Sequence, residues 1–179
     1  MRIRSYRVLI VASALASLLG AGSVVAATPS YAVNVYHIYH PRYQMCLGND
    51  SSGNSEIGSC VYSGSGSLSQ TWYIRAQVTL YNPWTRSDTI YNQWENQNGQ
   101  CLGIASSTGP QLVVGGCTGT TDHSQFWWGP PITSSGIGNM MLNGHTGTCA
   151  GPTGNTGGAR VQLQPLSDCG LLPQNWRAQ

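Results

Sequence analysis

The chain has 179 residues, of which 8% are charged, and it contains no lysine. Eight arginines stand against six Asp and Glu residues, and the five arginines beyond residue 32 are scattered along the chain. Proteins that follow a phosphate backbone do so with a stripe or cluster of basic side chains. We therefore predict no nucleic-acid partner, and a surface of Ser, Thr, Asn, Gln and Gly favours neutral ligands.

The first 32 residues have the pattern of an export signal. Three arginines among the first seven residues precede an apolar run over residues 8–19. A membrane span needs about 20 apolar residues, so this run is too short to anchor the chain. Small residues at the −3 and −1 positions fit cleavage after Ala27 or after Ala32. We predict a signal peptide over residues 1–32, a secreted, extracellular protein without a membrane anchor, and one domain over residues 33–179.

Six cysteines fall into three successive pairs, and each pair is followed by Gln-x-Trp. The first cysteines of the pairs are 55 and 48 residues apart, and the tryptophans are 55 and 49 residues apart. Since two independent markers report the same period, we predict three repeats of one structural unit. These repeats, called lobes one, two and three below, cover about residues 33–79, 80–132 and 133–179.

The cysteines have three possible roles: disulfides, metal ligands or nucleophiles. An even number behind an export signal favours disulfides, because the compartment is oxidising and no spacing is C-x-x-C. Six cysteines permit fifteen pairings, and the repeat is what selects one of them. The predicted bridges are Cys46–Cys60, Cys101–Cys117 and Cys149–Cys169. We expect no metal ion and no cofactor.

Beyond the signal segment the sequence is typical of β-structure. Residues 72–80 and 159–164 alternate or carry β-forming side chains, and clusters of Gly, Ser, Asn and Pro separate such segments. Asn98-Gly99 and Asn143-Gly144 predict two-residue hairpin turns before the first cysteine of lobes two and three. No segment sustains a helical stripe. Short strands repeated three times predict an all-β fold with threefold closure.

Each lobe carries Cys-Leu-Gly or Cys-Ala-Gly, then a second cysteine, then Gln-x-Trp. This pattern resembles the ricin-type β-trefoil lectin family, which is grouped with the trefoil carbohydrate-binding modules. The resemblance covers essentially the whole chain beyond the signal segment and implies a β-trefoil that binds carbohydrate. It also implies that the glutamines brace the backbone and that the tryptophans fill the core. These residues are Gln70 with Trp72, Gln125 with Trp127, and Gln174 with Trp176.

Three positions that contact sugars in that family differ in every lobe. The family has an Asp after Cys-Leu, an aromatic residue two positions before the second cysteine, and an Asn before Gln-x-Trp. At the Asp position this chain has Gly48, Gly103 and Gly151. At the aromatic position it has Gly58, Gly115 and Ser167. At the Asn position it has Ser69, Ser124 and Pro173.

Other side chains are candidates to replace these contacts. In lobe one, Asn49 and Asp50 follow the glycine, and Tyr62 lies two residues past the second cysteine. One interpretation is that Asp50 replaces the family's carboxylate and that Tyr62 replaces its stacking ring. The alternative is that Asn49 and Asp50 begin an ordinary solvated turn. Lobe two offers little besides Gln111. The candidates in lobe three are Asn155, Gln164 and Asp168.

Two tryptophans lie outside Gln-x-Trp, between lobes one and two. Trp84 and Trp94 have polar neighbours, as aromatic residues that stack on sugars do. Burial in the core and contact with a partner protein are the alternatives. A trefoil with degenerate sugar sites that binds a protein, for example as an inhibitor, is therefore the alternative to a lectin.

Catalysis has little support in the sequence. Asp122-His123-Ser124 contains the residue types of a triad, but a triad requires side chains that converge in space rather than neighbours in sequence. His37 and His40 have no further ligands nearby at the spacing of a metal site. We therefore predict a secreted, monomeric, non-catalytic β-trefoil whose partner is a polysaccharide or glycan.

Overall fold

A computed structural model describes residues 34–67, 69–105, 109–129, 139–169 and 175–179. All of them belong to the unit Ala32–Gln179. The predicted signal segment and Gln174 lie outside the described residues. Across the described ranges, no helix has the length and apolar character to span a membrane.

The regular structure of these residues consists of thirteen β-strands and three short 3₁₀ turns. The strands of lobe one and its connection to lobe two are β1 (Tyr36–His40), β2 (Met45–Asn49), β3 (Ser55–Gly58) and β4 (Thr71–Asn82). Lobe two contains β5 (Ser87–Asn96), β6 (Cys101–Ile104), β7 (Leu112–Gly115) and β8 (Phe126–Trp128). Lobe three contains β9 (Asn139–Met140), β10 (Leu142–Asn143), β11 (Cys149–Pro152), β12 (Val161–Gln164) and β13 (Asn175–Ala178).

The first and last strands of each lobe form a closed antiparallel barrel. Strand β1 pairs with β4, β4 with β5, β5 with β8, and β8 with β10. Strand β9, which precedes β10 along the chain, pairs with β13, and β13 returns to β1. Closure gives these strands a neighbour on both sides, which satisfies their backbone groups.

The middle strands of each lobe form hairpins that cover one end of the barrel. These hairpins are β2–β3, β6–β7 and β11–β12. Isolated bridges join them pairwise, from Asn54 to Val113, from Glu56 to Arg160 and from Gln111 to Gln162. Barrel strands and hairpins recurring in three lobes make the fold a β-trefoil, as predicted.

Each lobe is closed by one disulfide between the cysteines that the repeat had paired. Cys46 bonds to Cys60, Cys101 to Cys117, and Cys149 to Cys169. The bridged residues are 14, 16 and 20 positions apart. In the chain-entropy model, a loop of this size stabilises the fold by roughly 3 kcal/mol.

The tryptophans of Gln-x-Trp occupy equivalent places in the core. Trp72, Trp127 and Trp176 are fully buried in one hydrophobic cluster. Each indole N–H donates to the carbonyl of the residue after the first cysteine of its own lobe, at 3.2, 2.9 and 2.9 Å. A buried indole needs such an acceptor, so the bond holds each hairpin onto the barrel.

The glutamines of lobes one and two bind on either side of the second cysteine. Gln70 accepts from the backbone N–H of Val61 at 2.8 Å and donates to the carbonyl of Ser59 at 3.1 Å. In lobe two, Gln125 makes the same pair of bonds, to Thr118 and Gly116, each at 2.8 Å. The side chain thus takes the place of a strand along a segment that has no backbone partner of its own.

Strands β4 and β5 continue beyond the barrel as a two-stranded ribbon, residues 76–91. Its inner face carries Ala76, Val78, Leu80 and Tyr91, which pack in a second hydrophobic cluster. On the barrel side this cluster contains Phe126, Leu142 and the Cys149–Cys169 bridge. The ribbon accounts for the longer spacing between lobes one and two. Because neighbouring strand residues face opposite ways, Trp127 lies in the first cluster and Trp128 packs against the second.

The predicted two-residue turns are wrong. Asn96 and Asn143 are the last residues of strands, and each side-chain oxygen accepts from two backbone N–H groups of the loop that follows. The positive φ angles lie at Gly99 (76°) and Gly147 (68°), at the ends of longer loops. An asparagine side chain that caps its own loop lets the chain reverse over more than two residues.

Candidate functional site

Two of the glycines at the family's Asp position, Gly48 and Gly103, lie close to the bracing glutamine of their lobe. A Cβ on Gly48 would lie 2.9 Å from Cγ of Gln70, and a Cβ on Gly103 would lie 2.9 Å from Cγ of Gln125. Both glutamines are held by hydrogen bonds, so they cannot move aside without breaking them. In lobes one and two, a side chain at this position would therefore require the bracing glutamine to shift from the place it has here.

The lobe-one candidate Asp50 binds within the protein. One carboxylate oxygen accepts from the backbone N–H groups of Ser52 and Asn54, both at 2.9 Å. The other accepts from the Asn54 amide at 3.2 Å and from the Arg160 guanidinium at 2.5 Å. The hydrogen bond from Arg160 lowers the pKa of Asp50 to about 2. A sugar hydroxyl would have to compete with these four bonds.

The other two lobe-one candidates differ in exposure. The amide of Asn49 donates to the carbonyl of Asp50 at 3.0 Å, and its oxygen accepts from Asn96 at 3.4 Å. Tyr62 is 65% exposed, and its ring packs edge-on against His37 with 4.7 Å between ring centroids. Burial lowers the pKa of His37. Lobe one therefore offers an exposed ring, with no uncommitted carboxylate among these candidates.

A cleft of about 390 Å³ opens between lobes two and three. Its lining includes Pro110, Thr146, Thr148, Leu163, Gln164 and Pro165. Of the lobe-three candidates, Gln164 lines this cleft. Asn155 and Asp168 are not among its lining residues. Asn155 lies exposed in the turn after β11, and Asp168 accepts from the hydroxyl of Ser167 at 3.1 Å.

Backbone hydrogen bonds fix the walls of the cleft. The N–H of Leu163 donates to the carbonyl of Pro110 at 2.6 Å, which joins lobe three to lobe two. The loop 144–147, which contributes Thr146 to the lining, is capped by the side-chain oxygen of Asn143. The hydroxyl oxygens of Thr146 and Thr148 lie 2.6 Å apart. The cleft is therefore formed before any ligand arrives.

The chemistry of the cleft is neutral. No charged side chain lines it within the described part of the chain. The amide of Gln164 has no protein hydrogen-bond partner there, so it can offer two donors and an acceptor. Proline rings and Leu163 supply apolar surface. A ligand with an apolar face and a rim of hydroxyls fits this combination.

Sequence reasoning missed most of this lining. Pro110, Thr146 and Thr148 come from turns in two different lobes, and each residue type is common in turns. No local spacing marks them, because their contact depends on how lobes two and three pack. Gln164, the last residue of β12, is the lining residue that the sequence analysis named.

The two tryptophans outside Gln-x-Trp have different environments. Trp94 is fully buried and donates its indole N–H to the carbonyl of Gly129 at 3.2 Å. Trp84 lies at the ribbon turn and is 46% exposed. Trp94 is thus a core residue, and Trp84 is available to a ligand.

The residues considered for catalysis have local structural contacts. Asp122 accepts from the N–H of Ser124 at 3.0 Å and caps a 3₁₀ turn, and hydrogen bonds from Ser124 lower the pKa of Asp122. His40 is buried, and its ring stacks on Tyr43 with 4.4 Å between ring centroids. Asp122 therefore directs its oxygen at the turn that follows it.

One group of possible metal ligands occurs among the described residues. It consists of Glu95 with Cys101 and Cys117. The two sulfurs form a disulfide, whereas a metal ligand must be a thiolate. The carboxylate of Glu95 binds Arg75 at 2.8 Å.

Fold and cleft together define a β-trefoil of three disulfide-closed lobes with a neutral cleft between two of them. No family model matches the sequence. No curated protein matches it either.

Solved structures share the fold. A mosquitocidal holotoxin is 15% identical with a TM-score of 0.59, and the match covers 82% of this chain and 16% of that one. The designed threefold-symmetric protein ThreeFoil is 18% identical with a TM-score of 0.55, and the match covers 80% of this chain and 96% of that one. An exo-β-1,3-galactanase from Clostridium thermocellum is 18% identical with a TM-score of 0.58, and the match covers 80% of this chain and 29% of that one.

A cytolethal distending toxin from Actinobacillus actinomycetemcomitans is a further match, at 17% identity and a TM-score of 0.57. This match covers 80% of this chain and 89% of that one. The chain spans about a sixth of the holotoxin and less than a third of the galactanase. At these identities the likeness is one of fold.

Proposed function

We propose that this chain is a secreted, non-catalytic carbohydrate-binding protein, and that the cleft between lobes two and three binds a neutral sugar. The observation that carries the proposal is an uncharged cleft lined by Gln164, by the Thr146–Thr148 hydroxyl pair and by apolar proline surface, in which the Gln164 amide has no partner among the described residues. The sugar-acting galactanase among the structures of the same fold supports it.

The surface of the cleft matches the surface of a sugar ring. A sugar ring has an apolar face and a rim of hydroxyl groups, so it needs apolar contact together with neutral donors and acceptors. Leu163 and Pro165 provide the contact, and Gln164 provides both donor and acceptor. Because the walls are joined by backbone hydrogen bonds, little ordering entropy is lost on binding.

The test is retention of the secreted, oxidised protein on immobilised polysaccharides and simple sugars, with competition by free sugar. Gln164→Ala should weaken competable retention by about tenfold, the loss expected from one or two hydrogen bonds. Gln97→Ala, which removes an exposed amide from a lobe-two turn, is the matched control and should retain wild-type binding. Equal retention of both variants would place the binding site elsewhere, and no retention of the wild type would refute a lectin function.

A protein-binding module is the second candidate, because the ribbon exposes large apolar side chains. Tyr81 is 63% exposed, Ile90 is 56% exposed and Trp84 is 46% exposed. Clustered Tyr and Trp residues are also typical of protein interfaces. This function predicts capture of a protein that free sugars do not displace.

A further inference from the structure

We propose that the ligand is an oligosaccharide chain rather than a single sugar, and that it extends from the cleft onto the ribbon turn, where a second sugar unit stacks on Trp84. This inference rests on the proposed function. It adds a second subsite on the ribbon between lobes one and two.

The ribbon turn lies against the rim of the cleft. Cγ of Pro83 is 3.3 Å from the position that a Cβ would take on Gly147. Gly147 lies between Thr146 and Thr148, whose side chains line the cleft. Trp84 follows Pro83 directly, so its backbone lies one residue from this contact with the rim of the cleft.

Close packing holds the ribbon in this place. A Cβ on Gly144 would lie 2.8 Å from Cδ1 of Leu80 and 3.3 Å from Cδ1 of Tyr91, both on the inner face of the ribbon. A residue without a side chain is needed for this approach. The loop 144–147 therefore lines the cleft through Thr146 and packs against the inner face of the ribbon through Gly144.

The backbone of Trp84 is held in position by the turn. The side-chain oxygen of the fully buried Asn82 accepts from the N–H of Trp84 at 2.9 Å and from that of Thr85 at 3.2 Å. The N–H of Arg86 donates to the carbonyl of Asn82 at 2.8 Å. A turn fixed in this way presents its aromatic residue without a large cost in backbone entropy.

The surroundings of Trp84 suit a sugar. Thr85 and Ser87 place two hydroxyl oxygens 3.0 Å apart beside it. The charges of Arg86 and Asp88 have opposite sign, which leaves the turn close to neutral, as is the cleft. An aromatic face beside hydroxyls is the combination that sugar stacking requires. This continuity of neutral chemistry favours a neutral oligosaccharide over a protein as the occupant.

The experiment uses cellulose, chitin, xylan and galactan as immobilised probes, followed by the oligosaccharides of one to six units from whichever polymer is retained. For the wild type, affinity should rise with chain length. Trp84→Ala should weaken binding of the six-unit chain by about tenfold and leave binding of the single sugar unchanged. Trp84→Phe should restore most of the loss, and Ile90→Ala, an exposed apolar control on the ribbon, should behave as the wild type.

Tryptophan fluorescence gives a second measurement. Trp84 is the most exposed of the six tryptophans, since four are fully buried and Trp128 is half-buried. A six-unit chain should protect the fluorescence from acrylamide quenching, whereas a single sugar should not. Equal affinity for short and long chains, or an unaffected Trp84→Ala variant, would overturn this inference and leave the sugar-binding cleft intact. Binding of none of the probes, or loss of a captured protein in Trp84→Ala without competition by sugars, would overturn both.

Discussion

Asp50 illustrates how one residue can be committed to structure rather than to ligand binding. Its carboxylate joins the turn of lobe one to Arg160 of lobe three, 110 residues away. The same oxygens accept from Ser52 and Asn54, which closes the turn. The carboxylate that the sequence offered as a sugar contact therefore stabilises the packing between two lobes.

This commitment predicts a pH dependence of stability. The pKa of Asp50 in the folded protein is about 2, below the value of about 3.9 for an unfolded Asp. A lowered folded-state pKa contributes stability above about pH 4, and this contribution is lost as the pH falls towards 2. Urea midpoints measured between pH 6 and pH 2 should fall more steeply for the wild type than for Asp50→Asn.

Asp88 supplies the control for that comparison. It is exposed on the ribbon, so Asp88→Asn should keep the pH dependence of the wild type. Identical acid profiles for Asp50→Asn and the wild type would show that the Arg160 contact does not contribute in solution.

The ribbon is the element that distinguishes the connection between lobes one and two. It is attached by its inner face, where Leu142 of the barrel is fully buried beneath it. Its outer face carries exposed side chains such as Ile90 and Tyr81. An insertion attached in this way can present residues to a ligand while the barrel strands keep their register.

A cavity beneath the ribbon should loosen it. Leu142→Ala is expected to cost about 2–5 kcal/mol of unfolding free energy, since a buried leucine is removed from a packed cluster. Amide hydrogen exchange should accelerate over residues 76–91 more than in the hairpin β6–β7, because local opening follows the loss of buried contacts. Ile90→Ala should change neither quantity much. Uniform acceleration along the chain would contradict the attachment of the ribbon through this cluster.

At the scale of the whole molecule, Gln111 joins the three hairpins where they meet. Its amide nitrogen donates to the carbonyl of Leu112 at 2.8 Å and to that of Val161 at 3.1 Å, and lies 3.5 Å from that of Ser55. These carbonyls belong to lobes two, three and one. The two N–H groups of this amide therefore bond lobes two and three, and the nitrogen also lies next to a carbonyl of lobe one.

Gln111→Met keeps the length of this side chain and removes its donors. The variant should lose about 1–3 kcal/mol of unfolding free energy in urea, because partly buried carbonyls lose their partner. Gln97→Met, at an exposed turn position, should be close to neutral. Equal stability of the two variants would show that water replaces the amide without cost.

The sequence alone predicted the features that recur with the repeat. The three disulfides, the threefold β architecture and the equivalence of the three lobes follow from markers that repeat at nearly the same spacing, and the resemblance to ricin-type lectins implied the β-trefoil. Repetition supports such predictions because each copy must make the same contacts within its own lobe. Trp72 and Trp127 accordingly bond to the residue after the first cysteine of their lobe.

Contacts between lobes were decided by the tertiary structure. Gln164 could be singled out in the sequence, but its place in one cleft with Thr146 and Pro110 depends on the packing of lobes two and three. Trp84 and Trp94 have similar polar neighbours, yet Trp84 lies at the exposed turn between β4 and β5, whereas Trp94 lies within β5 and is fully buried. Local sequence determines what happens within a lobe, whereas burial and long-range hydrogen bonds determine which side chains remain available to a ligand.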